Sequence, residues 1–427
     1  MGTPYPFEGK KVTVLGARET GVQSALFLKK RGAVVFVSEL KDGKEYVNAK
    51  KALESQNVSY EFGQHDWEEI QESELIIVSP GIPPSAAIYQ KAIRSGIPVW
   101  SEIELAYRAW PGELIAVTGS NGKTTVTTLI RDVLRASGRQ AVSCGNIGNS
   151  FISEVDQLKP ETIMVVEVSS FQLTHIDQFK PRIAVLLNLS PNHIDWHGGF
   201  GEYAQMKWRI FKNQSHQDYA LINALDPESL KRAPTLISKV ICFDGKQGAN
   251  PNYAAVEEVA RLYQIDSKVT QSVLENFSGL EHRFEETGTF HGVKYINDSK
   301  STTIASLGWA LERVDENAVL IAGGRHKGGD FRVLRELIKH KVKFLILLGE
   351  SKKEIENAFS DLVSVYTVNS LEEALRAARS ASRPGGTVLF SPACASFDMF
   401  QDYQDRGKQF KDILTSWQNE LAPAPSR

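Results

Sequence analysis

A glycine-rich loop in the first third of the chain carries the strongest chemical signal in the sequence. The segment T-G-S-N-G-K-T-T, residues 118–125, follows the apolar run LIAV and precedes the amphipathic stretch TTVTTLIRDVL. A loop that enters a helix in this way points backbone N–H groups at a phosphate, and the helix dipole adds to the attraction. Lys123 would neutralise the β- and γ-phosphates of a nucleotide, and the Thr124 hydroxyl would bind Mg²⁺.

The spacing G-x-x-G-K-T is shorter than that of the general phosphate-binding loop. The alternative is a turn with a surface lysine, and the flanking strand and helix favour the phosphate site. The residues predicted to contact the nucleotide here are Gly119, Ser120, Asn121, Gly122, Lys123, Thr124 and Thr125.

A second glycine-rich loop, G-A-R-E-T-G at residues 16–21, follows VTVL, and the next apolar run ends at Glu39. This pattern is similar to a dinucleotide-binding fingerprint with its acidic ribose ligand. Arg18 occupies the second glycine position, where a pyrophosphate needs close backbone approach. The loop therefore predicts either a site for a different nucleotide or a purely structural turn.

Glu167 is a further candidate by its position, whereas the local patterns of His193 and Lys207 do not by themselves indicate catalysis. Glu167 ends the apolar run TIMVVE, where a carboxylate could hold Mg²⁺ beside the phosphates, although a strand-end charge in water is the alternative. His193 follows the run IAVLLNLS. Lys207, in EYAQMKWRIF, has by itself the pattern of an exposed helical lysine.

The candidate residues lie at the ends of short apolar runs or in helical stretches. Apolar runs alternate with helical patterns along the chain, which is typical of βαβ units and mainly parallel sheets. Three α/β units are expected: residues 1–103, 104–280 and 281–427. The runs predicted as strands are KVTVLG, VVFVSE, LIIVSPG, LIAVTG, TIMVVEVSS, IAVLLNLS, VLIAGG, FLILLGE and TVLFSP.

Composition is that of an ordinary globular protein: 427 residues, 42% hydrophobic, 23% charged and a net charge of −2. There is no general electrostatic drive toward nucleic acid or an anionic membrane. The 3 cysteines include no CxxC pair, and no apolar run has the length of a signal peptide core or a membrane span. We expect a monomer in the cytoplasm that acts on small molecules.

The order of the motifs along the chain resembles the Mur ligase family, and within it the branch that adds D-glutamate. The motifs that carry the resemblance, after TGSNGKTT, are EVSSFQL, NLSPNHID, HRFE, NDSKST, GGRHKGGDF and SPACASFDMF. The resemblance covers nearly the whole chain. It implies three domains: a Rossmann-like UDP-binding domain, a central P-loop ATPase and a Rossmann-like C-terminal domain.

The resemblance also implies an activity, the ATP- and Mg²⁺-dependent addition of D-glutamate to UDP-N-acetylmuramoyl-L-alanine through an acyl phosphate, in peptidoglycan synthesis. It assigns Mg²⁺ binding to Thr124, Glu167, His193 and a Lys207 that CO₂ has carbamylated. It assigns further nucleotide contacts to Asn252, Arg283, Asp298 and Lys300, the last three acting from the third domain.

Substrate contacts follow from the same resemblance. The muramoyl substrate would lie against Glu19, Thr20, Gly21, Asn146, Ser169, Gln172 and His193. D-Glutamate would lie against Thr302, Lys327, Ser396, Phe397 and Tyr403, the last at a position where the family often has Phe. The chain departs from the family at Arg18, at the strand ending Ser-Glu-Leu, and in a short segment between Phe243 and Asn252.

Three alternatives remain at this point. The nearest is another Mur ligase or a folylpolyglutamate synthase-like amide ligase. An NAD-dependent dehydrogenase would rest only on the first glycine-rich loop. A nucleotide-switch protein would need a guanine motif such as N-K-x-D, which the sequence lacks.

Overall fold

The computed structural model describes residues 6–190, 197–245, 250–277, 279–326 and 328–421. The strands are β1 Lys11–Leu15, β2 Val34–Glu39, β3 Ser59–Phe62, β4 Leu75–Val78, β5 Val99–Ser101, β6 Leu114–Thr118, β7 Ala141–Gly145, β8 Ile163–Glu167, β9 Ile183–Leu186, β10 Tyr219–Asn223, β11 Lys239–Phe243, β12 Glu285–Phe290, β13 Val293–Asn297, β14 Ala318–Gly323, β15 Val342–Leu348, β16 Ser364–Thr367 and β17 Thr387–Phe390.

The α-helices of the described residues connect these strands. They are α1 Glu19–Lys30, α2 Val47–Ser55, α3 Trp67–Ile70, α4 Ala87–Arg94, α5 Glu102–Ala109, α6 Lys123–Ala136, α7 Phe151–Glu154, α8 Ser170–Leu173, α9 Phe200–Trp208, α10 Pro227–Arg232, α11 Pro251–Leu262, α12 Ser267–Glu275, α13 Ile304–Leu311, α14 Arg335–Lys341, α15 Lys352–Phe359, α16 Leu371–Ala381 and α17 Tyr403–Leu421. Short 3₁₀ turns lie at Lys44–Tyr46, Arg209–Phe211, Ala233–Thr235 and Phe331–Leu334.

The strands form three sheets, one of five strands in the order β3-β2-β1-β4-β5 and two of six. The second sheet has the order β11-β10-β9-β6-β8-β7, and the third β12-β13-β17-β14-β15-β16. Every pair in the first two sheets is parallel, and in the third only the hairpin β12–β13 is antiparallel. The expectation of three α/β units with mainly parallel sheets is confirmed.

The central strands form because they are apolar along their whole length. In β6, β8 and β9 every residue is buried, as required of a parallel strand covered by helices on both faces. Each run predicted as a strand overlaps one of the observed strands, and the predicted runs cover most of the inner strands of the three sheets.

The chain forms two compact units, Met1–Phe277 and Ser278–Arg427. Within the first unit one continuous apolar core joins the first two sheets, since it contains Val12 and Leu75 from the first and Ala116 and Val166 from the second. The predicted boundary near residue 103 therefore separates two sheets that share a core. The exact domain boundaries stay predictions.

A buried carboxylate also connects the first two sheets. Glu104, on the helix α5 that follows the last strand of the first sheet, has no exposed surface. Its two oxygens accept from the backbone N–H groups of Asp177, Gln178 and Phe179 at 2.8–3.1 Å, and from Arg108 Nε at 2.7 Å. Because a buried charge is stable only when it is fully hydrogen-bonded, this carboxylate fixes α5 to the loop after α8.

None of the helices in the described part of the chain combines the length and the apolar character needed to cross a membrane.

Candidate active site

The predicted phosphate loop connects β6 to the N-terminus of α6, at the carboxyl edge of the second sheet. Gly122 has φ +83°, and a Cβ there would come within 2.6 Å of the Asn252 side chain. Glycine is therefore required both by the left-handed backbone and by the lack of space. The contact also brings Asn252, the predicted nucleotide contact on α11, directly against the loop.

The loop is held by the segment that follows the neighbouring strand β9. Asn121 N donates to Asn188 Oδ1 at 2.9 Å, and Asn188 Nδ2 donates back to Asn121 O at 3.1 Å. Ser120 Oγ donates to Ser190 O at 3.0 Å and accepts from Ser190 N at 2.8 Å. These bonds fix the backbone of the loop, as a preorganised anion site requires.

Lys123 begins α6. Its Nζ donates to Gly119 O at 2.9 Å and to Ser120 O at 3.0 Å. The ammonium group thus lies across the loop that its own helix follows, where a bound phosphate would meet it. Thr124, the predicted metal ligand, comes next in the first turn of α6.

Glu167 lies at the end of β8, next to β6 in the sheet. The residue is 2% exposed, so the alternative of a strand-end charge in water is wrong. Its Oε1 accepts from Asn146 Nδ2 at 2.9 Å, while Oε2 is buried with no hydrogen-bond partner among the described residues. A buried carboxylate oxygen without a donor suits a cation, since an unpaired charge is costly to bury.

Lys207 is buried on α9, only 2% exposed. The exposed position that its sequence pattern favours is wrong, because α9 packs this face against the carboxyl edge of the sheet. Lys207 Nζ lies 3.4 Å from Thr118 Oγ1 and 4.9 Å from the centroid of the Tyr203 ring. Burial, and then the nearby charge of Lys123, hold the pKa of the Lys207 amine well below its usual value, while Glu167 opposes the shift.

Three predicted muramoyl contacts lie beside Glu167. Asn146 bonds to it directly. Ser169 and Gln172 form the capping box of α8: Ser169 N and Oγ both donate to Gln172 Oε1, at 3.0 and 2.9 Å, and Gln172 N donates to Ser169 Oγ at 3.3 Å. Gln172 also hydrogen-bonds to Glu102, whose Oε1 accepts from Ile152 N at 2.6 Å.

The first glycine-rich loop lies between β1 and α1, with Glu19, Thr20 and Gly21 in the first turn of that helix. A Cβ on Gly21 would stand 2.0 Å from Gly16 O and 2.8 Å from Ser79 Oγ, which explains the last glycine of the motif. Glu39, at the end of β2, contacts the same loop, because its Oε2 accepts from Ala17 N at 3.0 Å. The carboxylate thus supports the loop backbone.

In the second unit, Arg283 stands between two residues with left-handed backbone, His282 at φ +63° and Phe284 at φ +48°. Such conformations cost free energy in non-glycine residues and persist only where surrounding contacts impose them. Here His282 Nδ1 bonds with Asn297 Nδ2 at 3.0 Å, and Phe284 N donates to Asp298 Oδ1 at 3.0 Å. The turn fixes the backbone that carries Arg283.

Asp298 follows β13 and is buried. Its Oδ2 accepts from Ser391 Oγ at 2.8 Å. Burial raises the pKa of the Asp298 carboxyl from 3.8 to about 7, against the bonds from Ser391 and Phe284. Contact of Asp298 with the nucleotide stays a prediction.

The loops after β13 and β17 carry three of the predicted D-glutamate residues, Thr302, Ser396 and Phe397. Ala395 and Arg325 exchange backbone hydrogen bonds, both at 2.9 Å, so the loop with Ser396 and Phe397 pairs with the loop after β14. Ser396 is buried, whereas Phe397 is 60% exposed. Lys300 Nζ lies 3.7 Å from the centroid of the Tyr403 ring, and Thr302 lies in the same loop as Lys300.

Cys394 is buried, and burial raises the pKa of its thiol to about 11. A thiol in this state is a packing residue rather than a nucleophile. All three cysteines are free.

Two predicted site residues, His193 and Lys327, lie outside the described residues. Among the residues that the structure does describe, no group of three or more His, Cys, Asp or Glu side chains forms a metal site.

Sequence reasoning missed Tyr203, whose hydroxyl lies 2.9 Å from Ser120 Oγ and whose ring lies beneath Lys207. The signal was available, because residues four apart share a helix face. It also missed Arg406, which reads as a surface arginine in the polar stretch DYQDRGKQF yet is 1% exposed.

Three family models match the chain in succession. The Mur ligase MurD-like N-terminal domain matches residues 10–101, the Mur ligase middle domain residues 117–285, and the Mur ligase glutamate ligase domain residues 282–394. The chain therefore belongs to the Mur ligase family.

Within that family the chain is similar to UDP-N-acetylmuramoylalanine–D-glutamate ligases. The enzyme of Chlorobium phaeobacteroides is 37% identical over 459 residues, with 95% of this chain and 98% of the relative covered. That of Chlorobaculum parvum is 39% identical over 464 residues, with 96% and 98% covered.

Solved structures support the fold. The MurF ligase from Thermotoga maritima in complex with ADP superposes with a TM-score of 0.62 at 17% identity, covering 91% of this chain and 96% of that chain. The UDP-N-acetylmuramate–alanine ligase of the same organism gives a TM-score of 0.59 at 18% identity, covering 96% and 100%.

Proposed function

We propose that this chain is an ATP-dependent ligase that joins D-glutamate to UDP-N-acetylmuramoyl-L-alanine, a step of peptidoglycan synthesis. The observation that carries the proposal is the cluster of Lys123, Glu167 and Lys207 at the phosphate loop. The choice of substrates is supported by the nearly full-length similarity to D-glutamate ligases.

The chemistry explains why such a cluster is needed. A carboxylate does not react with an amine, so an oxygen of the L-alanyl carboxylate first attacks the γ-phosphorus of ATP and the bond to ADP breaks. The D-glutamate amine then attacks the acyl carbon, phosphate leaves, and the amine loses a proton. Both steps concentrate negative charge, which Lys123 and the N–H groups of the loop are placed to stabilise.

The donors around the loop fit Mg²⁺, a hard cation that prefers oxygen ligands. The Thr124 hydroxyl and the unpartnered Oε2 of Glu167 would hold it, with His193 as the predicted ligand from outside the described residues. Bound there, the ion would offset the charge of the β- and γ-phosphates.

Lys207 suits carbamylation, the other predicted modification. CO₂ reacts only with an unprotonated amine, and burial beside Lys123 favours that form. A carbamate on Lys207 would be an anion and would attract the Lys123 ammonium, whereas an ammonium on Lys207 would repel it.

For the other substrate contacts we propose the same residues that the family resemblance implies. Nucleotide contacts are proposed for Asn252, Arg283, Asp298 and Lys300. Muramoyl contacts are proposed for Glu19, Thr20, Gly21, Asn146, Ser169, Gln172 and His193, and D-glutamate contacts for Thr302, Lys327, Ser396, Phe397 and Tyr403. We further propose that the enzyme works as a cytoplasmic monomer.

The test is phosphate release with ATP, Mg²⁺ and UDP-N-acetylmuramoyl-L-alanine, with one amino acid at a time. We expect release with D-glutamate and little with L-glutamate, L-alanine or diaminopimelate. If another amino acid supports release and D-glutamate does not, the chain is a different Mur ligase. If a reduced folate with L-glutamate supports release instead, it is a folylpolyglutamate synthase-like enzyme.

A further inference from the structure

Arg406, on the first turn of α17, places a buried guanidinium between two loops of the third sheet. Nε donates to Ser299 Oγ at 3.0 Å, and Nη2 donates to Ser299 O at 2.7 Å. Nη1 and Nη2 both donate to Cys394 O at 3.2 Å. One planar group thus bonds the loop after β13 and the loop after β17 together.

These contacts continue into the side chains that the proposed function assigns to substrates. Ser299 Oγ, which accepts from Arg406, donates in turn to Tyr403 O at 2.8 Å. Lys300 follows Ser299 and lies over the Tyr403 ring. Ser396 lies two residues after Cys394.

The loop after β14 also approaches the Arg406 guanidinium. Gly324, after β14, has φ +135°, and a Cβ there would stand 2.3 Å from Ala395 O and 3.3 Å from Arg406 Nη1. Only glycine allows this approach. The loop that leads toward residue 327 is therefore packed against the pair that Arg406 joins.

A contribution to the stability of the fold does not by itself explain why Arg406 is buried. Within the described part of the chain no carboxylate lies at ion-pair distance from Arg406, and burial lowers its pKa to about 10, with Cys394, Asp398 and Asp298 opposing. A buried charge without a paired partner carries a desolvation cost that an apolar side chain would avoid. What the guanidinium offers instead is a rigid planar set of donors with fixed directions.

We propose that Arg406 is a positioning residue for the acceptor amino acid: it holds the loop of Lys300 and Thr302 and the loop of Ser396 and Phe397 in the spacing that D-glutamate requires. This rests on the proposed function for the identity of the acceptor. Arg406 contacts neither substrate itself and acts through Ser299 and Cys394.

The test is Arg406→Lys, which keeps the positive charge and loses the planar donor set. We expect the KM for D-glutamate to rise on the order of tenfold or more, because small displacements of binding groups are costly. The KM for the muramoyl substrate should stay unchanged, since its assigned contacts are on the other compact unit.

The matched control is Arg335→Lys. Arg335, the first residue of α14, donates to Ala358 O at 2.8 Å and to Asp361 at 2.9 and 2.6 Å in the same unit, and none of these three residues is assigned to a substrate. It should lower Tm slightly without changing any KM. If Arg406→Lys behaves in the same way, or loses only kcat and Tm with an unchanged KM for D-glutamate, the positioning role is overturned.

Hydrogen exchange tests the inference separately from the proposed function. The amides of Lys300 and Ala395 donate to His282 O and Arg325 O, each at 2.9 Å, and should exchange faster in Arg406→Lys than in wild type or Arg335→Lys. Unchanged exchange at both amides overturns the inference, even where the wild type uses D-glutamate. A wild type that releases no phosphate with D-glutamate instead refutes the proposed function and the acceptor assignment, and exchange then decides the positioning of the loops alone.

Discussion

At the scale of single residues, the burial of Lys207 is the most informative feature of the site. A buried lysine beside another lysine is an unfavourable arrangement for two cations. The arrangement becomes favourable when the Lys207 amine is neutral or carries a carbamate. The burial of Lys207 is therefore best explained by its proposed function beside Lys123 and Glu167.

We predict that Lys207→Ala is folded and nearly inactive in phosphate release, because it removes the proposed anion beside the metal ligands. Acetate should restore part of the activity by replacing the carboxylate-like group. The control Lys212→Ala, at an exposed lysine just beyond α9, should retain activity with or without acetate. A fully active Lys207→Ala enzyme would exclude the role.

Glu102 allows a prediction about pH. Burial raises its pKa from 4.5 to about 7, against bonds from Ile152, Gln172 and Phe151. The folded state therefore holds a proton that the unfolded state loses, so the cost is absent below pH 4.5, grows as pH rises, and is complete above about 7. At about 1.4 kcal/mol per pKa unit, the full cost is about 3 kcal/mol.

We predict that Glu102→Gln is more stable than wild type at pH 8, by up to about 3 kcal/mol, and that the difference shrinks toward pH 5. The amide oxygen can still accept from Ile152 N. Urea unfolding of both proteins across this pH range measures the difference. A difference that is constant with pH would show that Glu102 does not titrate in this range.

At the scale of elements, the phosphate loop depends on its neighbours as much as on its own glycines. The strand β6 directs it, α6 begins from it, and the segment after β9 bonds to its backbone on both sides of Asn121. The strands that the sequence predicts are those with a continuous apolar run. The edge strands β3 and β16 are short and contain no fully buried residue, so no apolar run marks them in the sequence.

We predict that Lys123→Ala lowers phosphate release by on the order of 10²-fold or more, while Tm changes little, because the ammonium serves phosphate charge rather than the core. Arg131→Ala, on the same helix, is the control and should keep its activity. Near-normal turnover in folded Lys123→Ala would remove the loop from the mechanism.

At the scale of the whole molecule, the first two sheets lie in one compact unit and the third sheet lies in the other. The shared apolar core and the Glu104 carboxylate join the first two sheets. We expect them to unfold together.

We predict that Glu104→Gln destabilises both sheets of the first unit by about 3 kcal/mol, because a neutral amide cannot accept from three backbone N–H groups and an arginine as a carboxylate does. Native-state hydrogen exchange in β1 and in β8 should accelerate together. Glu69→Gln, at an exposed position on α3, is the control. Acceleration in one sheet alone would contradict a common unfolding unit.

The sequence by itself determined the fold class, most of the inner strands of the sheets and the phosphate loop. These features are local, because a buried parallel strand needs a continuous apolar run and a phosphate loop needs glycines beside a helix start. The ordered motifs also determined the family.

Only the tertiary structure decided which charged residues are buried. Lys207, Glu102, Glu104 and Arg406 occupy polar or helical stretches that read as exposed, and each is buried by contacts with residues distant in sequence. Arg406 bonds Ser299 across 107 positions, and Glu104 accepts from Phe179 across 75. Burial of a charge depends on partners brought together by folding, and a local pattern holds no information about them.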